Sequence, residues 1–169
     1  MTALPPVQRP RRRTAEEGAL GGLLAVIFWS ACGITAVPVA GMFTLISALG
    51  TQGAFSAIAD SVSGTALSTQ VLRLGLLPQA MLFIWAASFV AFTILKSRHA
   101  LQVAPGLFMA WVAVTAFCQF SIRSMITPDG ATLMDFTALL PGILAQVVGA
   151  AAFTAYMRQG HRPRFYFVR

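Results

Sequence analysis

Charge is scarce in this sequence. Of its 169 residues only 10% are Asp, Glu, Lys or Arg, and 57% are hydrophobic. Soluble domains carry about 25% charged residues. The shortage is also concentrated. No Asp, Glu, Lys, Arg or His occurs in the windows 18–59, 74–95, 100–122 and 136–157. With a mean hydropathy of +0.74, these gaps argue against an ordinary soluble domain and for a membrane protein. Cysteine is equally sparse. Cys32 and Cys118 both lie in apolar runs, which argues against a disulfide framework and reads as two buried free thiols. His99 and His161 are the two histidines, far apart in sequence, so no metal-ligand spacing is present. Nucleophile, phosphate-loop and cofactor motifs are missing as well. The sequence therefore predicts no enzyme, no metal site and no cofactor.

The few charges are mostly positive. Twelve Lys and Arg against five Asp and Glu give a net charge of +7 and a pI near 11.1. In a soluble protein that balance would suggest nucleic acid. In this apolar chain it reads as the basic bias that orients a bilayer protein, and no nucleic-acid partner is expected. The expected partners are membrane lipids and other membrane proteins.

A bilayer core is about 30 Å thick and needs roughly 20 apolar residues per helix. The last three charge-free windows each fit one span. The first is too long, and its apolar part fades into the polar TQGAFSAIADSVSGTALSTQ. Spans are placed near 18–40, 76–96, 103–123 and 136–158, with Pro38 near the outer end of the first. Residues 41–72 stay open between an interfacial helix and a loop. The prediction is an all-α integral membrane four-helix bundle at 18–158. A basic arm and helix cap over 1–17 precedes it, and a basic, aromatic tail over 159–169 follows.

Local signals agree. Thr14 and Glu17 have capping-box spacing. Pro78, Pro105 and Pro141 are expected in first turns, where a missing N–H costs nothing. Gly160 is a helix stop, and TPDG at 127–130 has the residues of a tight turn. Residues 1–13, with three prolines and four arginines, read as a disordered arm. A cleaved signal is disfavoured, because the apolar run continues well past Cys32 whereas signal peptides use about 7–15 apolar residues.

Orientation follows from the cations. The N-terminal arm, the 96–99 loop and the C-terminal tail hold ten of the twelve Lys and Arg residues, and the opposite side holds Arg73 and Arg123. That asymmetry places both termini in the cytoplasm, in a bacterial inner membrane.

An ionisable group inside a span is a functional hypothesis by default, and these span centres have none. The polar groups there are Ser30, Thr35, Ser88, Thr93, Thr115, Gln119, Gln146 and Thr154. Gln119 and Gln146 carry the open question: they line a substrate path, or they hydrogen-bond between helices. Gly18 and Gly22, and Ala145 and Gly149, have the four-residue spacing of close helix packing. Trp29, Trp85 and Trp111 sit nearer span middles than the headgroup belt and read as packing residues or as the wall of a ligand cavity. APGLFMAWVAVTAF at 104–117 and LPGILAQVVGAAAF at 140–153 share a few positions, either an inverted repeat or shared helix-start chemistry. Outside the spans, Arg73, Arg123, Asp129 and Asp135 cluster near the outer ends of spans two to four. They pair with one another, bind an anionic headgroup, or stand as separate solvated charges.

The chain ends YMRQGHRPRFYFVR. Here Tyr156 is placed at the membrane interface. Arg158, Arg162 and Arg164 face headgroups, where each contributes about 1 kcal/mol. Phe165 and Phe167 dip into the interface from an extended segment. This ending resembles that of the YdgK-like family of small bacterial inner-membrane proteins, a domain of unknown function. Tyr156, Arg162, Arg164, Phe167, Val168 and Arg169 match by position. Gly160 stands where the family usually has Ser, Pro163 where it has an aliphatic, and Tyr166 where it has Thr. The early GALGGLLAVIF and the basic 96–99 loop are also similar, so the resemblance runs from about residue 18. It implies four helices with both ends inside and carries no activity.

The leading functional expectation is a non-enzymatic accessory or assembly component of the membrane. The alternative is a small transporter or lipid-binding membrane protein.

Overall fold

The structure is a computed structural model and describes residues 20–64, 66–127 and 132–167. Among these the chain is all-α. Four helices are long and apolar enough to cross a membrane: α1 (Leu23–Ser63), α2 (Leu67–Ile94), α3 (Ala100–Ile126) and α4 (Leu133–Gln159). A short α5 (His161–Tyr166) follows. The Thr14–Glu17 cap and the 1–13 arm lie outside the described residues.

α1 is longer than the apolar run suggests. It does not end near Pro38 but carries that proline inside and continues to Ser63. The second half stays helical because its polar residues satisfy themselves within the helix. Thr44 donates to the Ala40 carbonyl, Ser47 to Phe43, Ser56 to Gly53 and Ser61 to Ile58, all within 3.0 Å. A hydroxyl bonded back to its own helix exposes no donor to hydrocarbon. The break comes at Gly50, with φ 71° and ψ 171°, a conformation open to glycine and strained for other residues. Residues 41–72 are therefore the end of α1, a corner at Gly64 and the start of α2.

The prolines need a correction. α2, α3 and α4 start at Leu67, Ala100 and Leu133, so Pro78, Pro105 and Pro141 lie inside helices rather than in first turns. Helix-start reasoning misplaced them because the flanking polar residues extend each helix beyond its apolar core. Membrane helices accommodate such prolines through neighbouring helices and local adjustment.

The loops are tightly closed. Lys96 adopts φ 50°, with its N–H on the Thr93 carbonyl and the Ser97 N–H on that of Phe92. This is the doubled closure of a left-handed helix cap. At the other end Thr132 caps α4, with its hydroxyl accepting from the Asp135 amide while the Asp135 carboxylate accepts from the Thr132 amide. Of the expected 127–130 turn, Thr127 ends α3 and the rest lies outside the described residues.

α2 packs on α1 and α3, and α3 packs on α4. The core lies toward the end formed by the 96–99 loop. It joins Leu24 and Ala31 of α1, Trp85, Ala86 and Phe89 of α2, Ala100 and Ala104 of α3, and Met157 of α4. Trp85 is the hub. Its ring stacks on Phe89 with centroids 5.8 Å apart and meets Phe108 at 4.7 Å and Phe153 at 5.7 Å. Its Nε1 donates to the Ala104 carbonyl at 3.1 Å, so the indole packs without an unpaired donor. Trp29, by contrast, is 70% exposed.

The tail is not extended. Gly160 ends α4, and a Cβ there would collide with the Tyr156 carbonyl. α5 then folds back on the bundle. Pro163, Tyr166 and Phe167 are buried while Arg162, Arg164 and Phe165 stay exposed. Spacing of three and four marks a helical face, which an alternating strand-like reading could not produce.

Candidate functional site

α1 and α4, the first and last long helices, do not close against each other. Between them lies a cleft of about 370 Å³, with Leu23, Val26 and Ser30 on one wall, Gly149 and Tyr156 on the other, and Trp85 and Phe108 at the back. On each helix the outermost of these wall residues lie seven residues apart, so the cleft runs about 10 Å along the axes. Its lining is almost wholly apolar, with the Tyr156 and Ser30 hydroxyls as the polar exceptions.

At the mouth of this cleft the chain brings three features together. Gly22, with φ 60°, begins α1 and has no side chain with which to cap it. Arg162 of α5 lies directly over Gly22: a Cβ there would sit 3.1 Å from Nη1 of Arg162. The Tyr156 hydroxyl is shut off from solvent and lies against the Leu24 backbone. The same end of the bundle carries Lys96, Arg98, Arg158 and Arg164. The described acids, Asp60 and Asp135, lie at the far end, by Gly64 and Arg123.

Of the expected headgroup anchors, Arg158, Arg162, Arg164 and Phe165 are exposed at this end. Phe165 packs on the His161 ring at 4.4 Å. Arg164 donates to the Arg158 carbonyl at 2.8 Å, and the two arginines line a separate polar cleft with Leu101 and Gln102. Phe167 is a correction. It is 1% exposed and belongs to the bundle core, because the turn of α5 carries it inward. Tyr166 locks the same turn. Its hydroxyl donates to the Thr93 carbonyl at 3.1 Å, and Lys96 Nζ stands 5.4 Å over its ring. Burial pushes the Tyr166 phenol above its ordinary pKa.

Gln119 and Gln146 are not brought to one path. Gln119 lines a cleft of about 390 Å³ between α2 and α3 with Gln79, Thr115 and Cys118. Gln79 was missed by the sequence reading, although its position inside a charge-free window marked it equally well. Gln79 also faces a second cleft, with Val37 and Pro38 of α1. Gln146 shares the inward stripe of α4 with Ile143, Ala150 and Phe153, and its Oε1 is buried without a partner. The core hydroxyls bond their own helices rather than neighbours: Thr93 to Phe89, Thr115 to Trp111 and Thr154 to Ala150, within 2.7 Å.

The outer charges separate. Arg123 pairs with Asp135 at 2.8 Å and so ties α3 to α4, beside the Phe120–Phe136 ring contact at 4.5 Å. Arg73 instead donates to the Gly64 carbonyl, and Asp129 lies outside the described residues. Among the described residues no three His, Cys, Asp or Glu side chains gather. Comparison with family models, curated proteins and solved structures finds no match.

Proposed function

We propose that this multi-pass membrane protein is a non-enzymatic accessory or assembly component of a bacterial inner membrane, with both termini cytoplasmic and kinship to the YdgK-like family. The observation that carries the accessory role is an exposed small-residue stripe on α4. It is formed by Ala138, Gly142 and Ala145, and beyond them Gly149 and Ala152 pass into the α1–α4 cleft. Only 6% of the apolar stretch of α4 is buried, against 28% for α3. Small residues let a second helix approach closely where the bilayer gives no hydrophobic gain for association. The basic asymmetry supports the orientation, and the tail sequence supports the kinship.

The test is purification of the full chain in mild detergent with mass spectrometry of co-purifying membrane proteins. A recurrent partner that is lost in Gly142→Leu supports the role. A clean monomer with no partner in either form refutes it. Reporter fusions at each terminus test the orientation, and an extracytoplasmic signal from either overturns it.

The alternative, a small transporter or lipid-binding protein, divides on the geometry. A path through Gln146 has little support, since Gln146 and Gln119 do not share a cleft. Lipid binding is favoured by the apolar cleft between α1 and α4.

A further inference from the structure

We propose that the cleft between α1 and α4 holds a single anionic phospholipid, with its phosphate at Arg162 and one acyl chain along the apolar walls. The inference rests on membrane embedding alone and holds whichever leaflet faces the cytoplasm.

Three observations converge on this occupant. The first is charge. Arg162 has no carboxylate facing it among the described residues, and the described acids lie at the opposite end. The guanidinium presents a planar fork suited to a phosphate. The second is the start of α1. Gly22 has no side chain with which to cap its helix, and a helix N-terminus favours an anion. The Arg162 guanidinium lies over this point, with Nη1 3.1 Å from where a Gly22 Cβ would sit, and the Tyr156 hydroxyl is buried against the Leu24 backbone of the same turn. The third is continuity. Leu23 and Tyr156 belong to this mouth and also line the cleft that runs inward to Ser30 and Gly149. Leu23 and Val26 are 54% and 60% exposed, so the cleft opens sideways, where a bilayer supplies lipid. A headgroup at the mouth and an acyl chain in the cleft match this layout of polar end and apolar length. A soluble anion would leave the apolar part unused. A second helix would meet Arg162 and a buried hydroxyl with no use for either.

The experiment measures lipid retention by the detergent-purified full chain, using native mass spectrometry with phosphatidylglycerol and with diacylglycerol of the same acyl chains, which lacks the phosphate. The expected result is one tightly held lipid and a preference for phosphatidylglycerol of roughly tenfold, the scale of one charge-assisted contact. Arg162→Gln removes the preference and Arg162→Lys keeps part of it. Arg164→Gln, on the separate cleft, leaves it unchanged. Val26→Trp fills the cleft mouth and reduces retention of both lipids. Val26 lines the cleft yet is 60% exposed, so the larger side chain is accommodated without repacking the core. Equal retention of both lipids by the native chain would overturn the proposal. So would a loss in Arg164→Gln equal to that in Arg162→Gln, which would mean diffuse surface charge. Displacement of the lipid by an equal concentration of glycerol phosphate would overturn the role of the cleft. A failed partner search leaves these readouts untouched, so the two proposals fail separately.

Discussion

The Tyr166 hydroxyl donates to the Thr93 carbonyl at 3.1 Å, across 73 residues of sequence. This bond fastens the last turn of the chain to the end of α2. Tyr166→Phe keeps the ring and its position under Lys96 while removing the bond. We expect a loss of about 0.5–1.5 kcal/mol, seen as faster protease cleavage after Gly160 with the four long helices intact. Unchanged protection would show that Phe167 and Pro163 hold α5 alone.

The same contact predicts a pH response. Burial raises the Tyr166 pKa in the folded tail above its free value near 10. The neutral phenol is thus favoured by docking. Its stabilisation is complete below the free pKa and is lost as pH rises through the higher docked value. Tyrosinate absorbance and tail cleavage are expected to rise together above about pH 10. The cleavage rise should be absent in Tyr166→Phe.

Gly50 sets the break in α1. A Cβ there would meet nothing within 4 Å, so Gly50→Ala adds no clash and acts only through φ 71°. The expected cost is roughly 1–2 kcal/mol, relieved by straightening α1. Spin labels on Val37 and Val62 should then move apart. An unchanged distance would mean that packing, not the glycine, bends the helix.

Thr132 caps α4 through the Asp135 amide. Thr132→Ala is expected to destabilise by about 1 kcal/mol, with fraying confined to the first turn of α4. Thr132→Ser should restore the cap. Amide exchange at Asp135 and Phe136 reads both outcomes, and equal exchange in the two variants would refute the assignment.

Trp85 bridges α2 to α3 through Ala104 and backs the α1–α4 cleft. Trp85→Ala is expected to cost about 3–5 kcal/mol in thermal unfolding. Trp85→Phe should cost less, since it keeps an aromatic ring and gives up the indole hydrogen bond. If the two variants unfold alike, the hydrogen bond rather than the ring packing is the dominant tie.

Four charge-free windows in the sequence were enough to require membrane-crossing helices, because hydrocarbon penalises charge and leaves a backbone no partner but itself. Gly160 was also legible as a stop, although it acts by the space Tyr156 leaves it and not by a left-handed turn. Other features needed the tertiary structure. The length of α1 depends on hydroxyls bonding their own carbonyls, which composition alone reads as a polar loop. Phe167 turns inward because α5 is helical, and a six-residue helix at a chain end is stabilised by the surface it docks on rather than by its own sequence. Gln119 and Gln146 are alike as amides in apolar runs, and only helix rotation and packing place them on different surfaces. The site depends most on that packing. Gly22, Tyr156 and Arg162 are ordinary residues, and Gly22 lies far in sequence from the other two. They become an anion-ready mouth only because α5 folds back over the start of α1 while α1 and α4 stay apart.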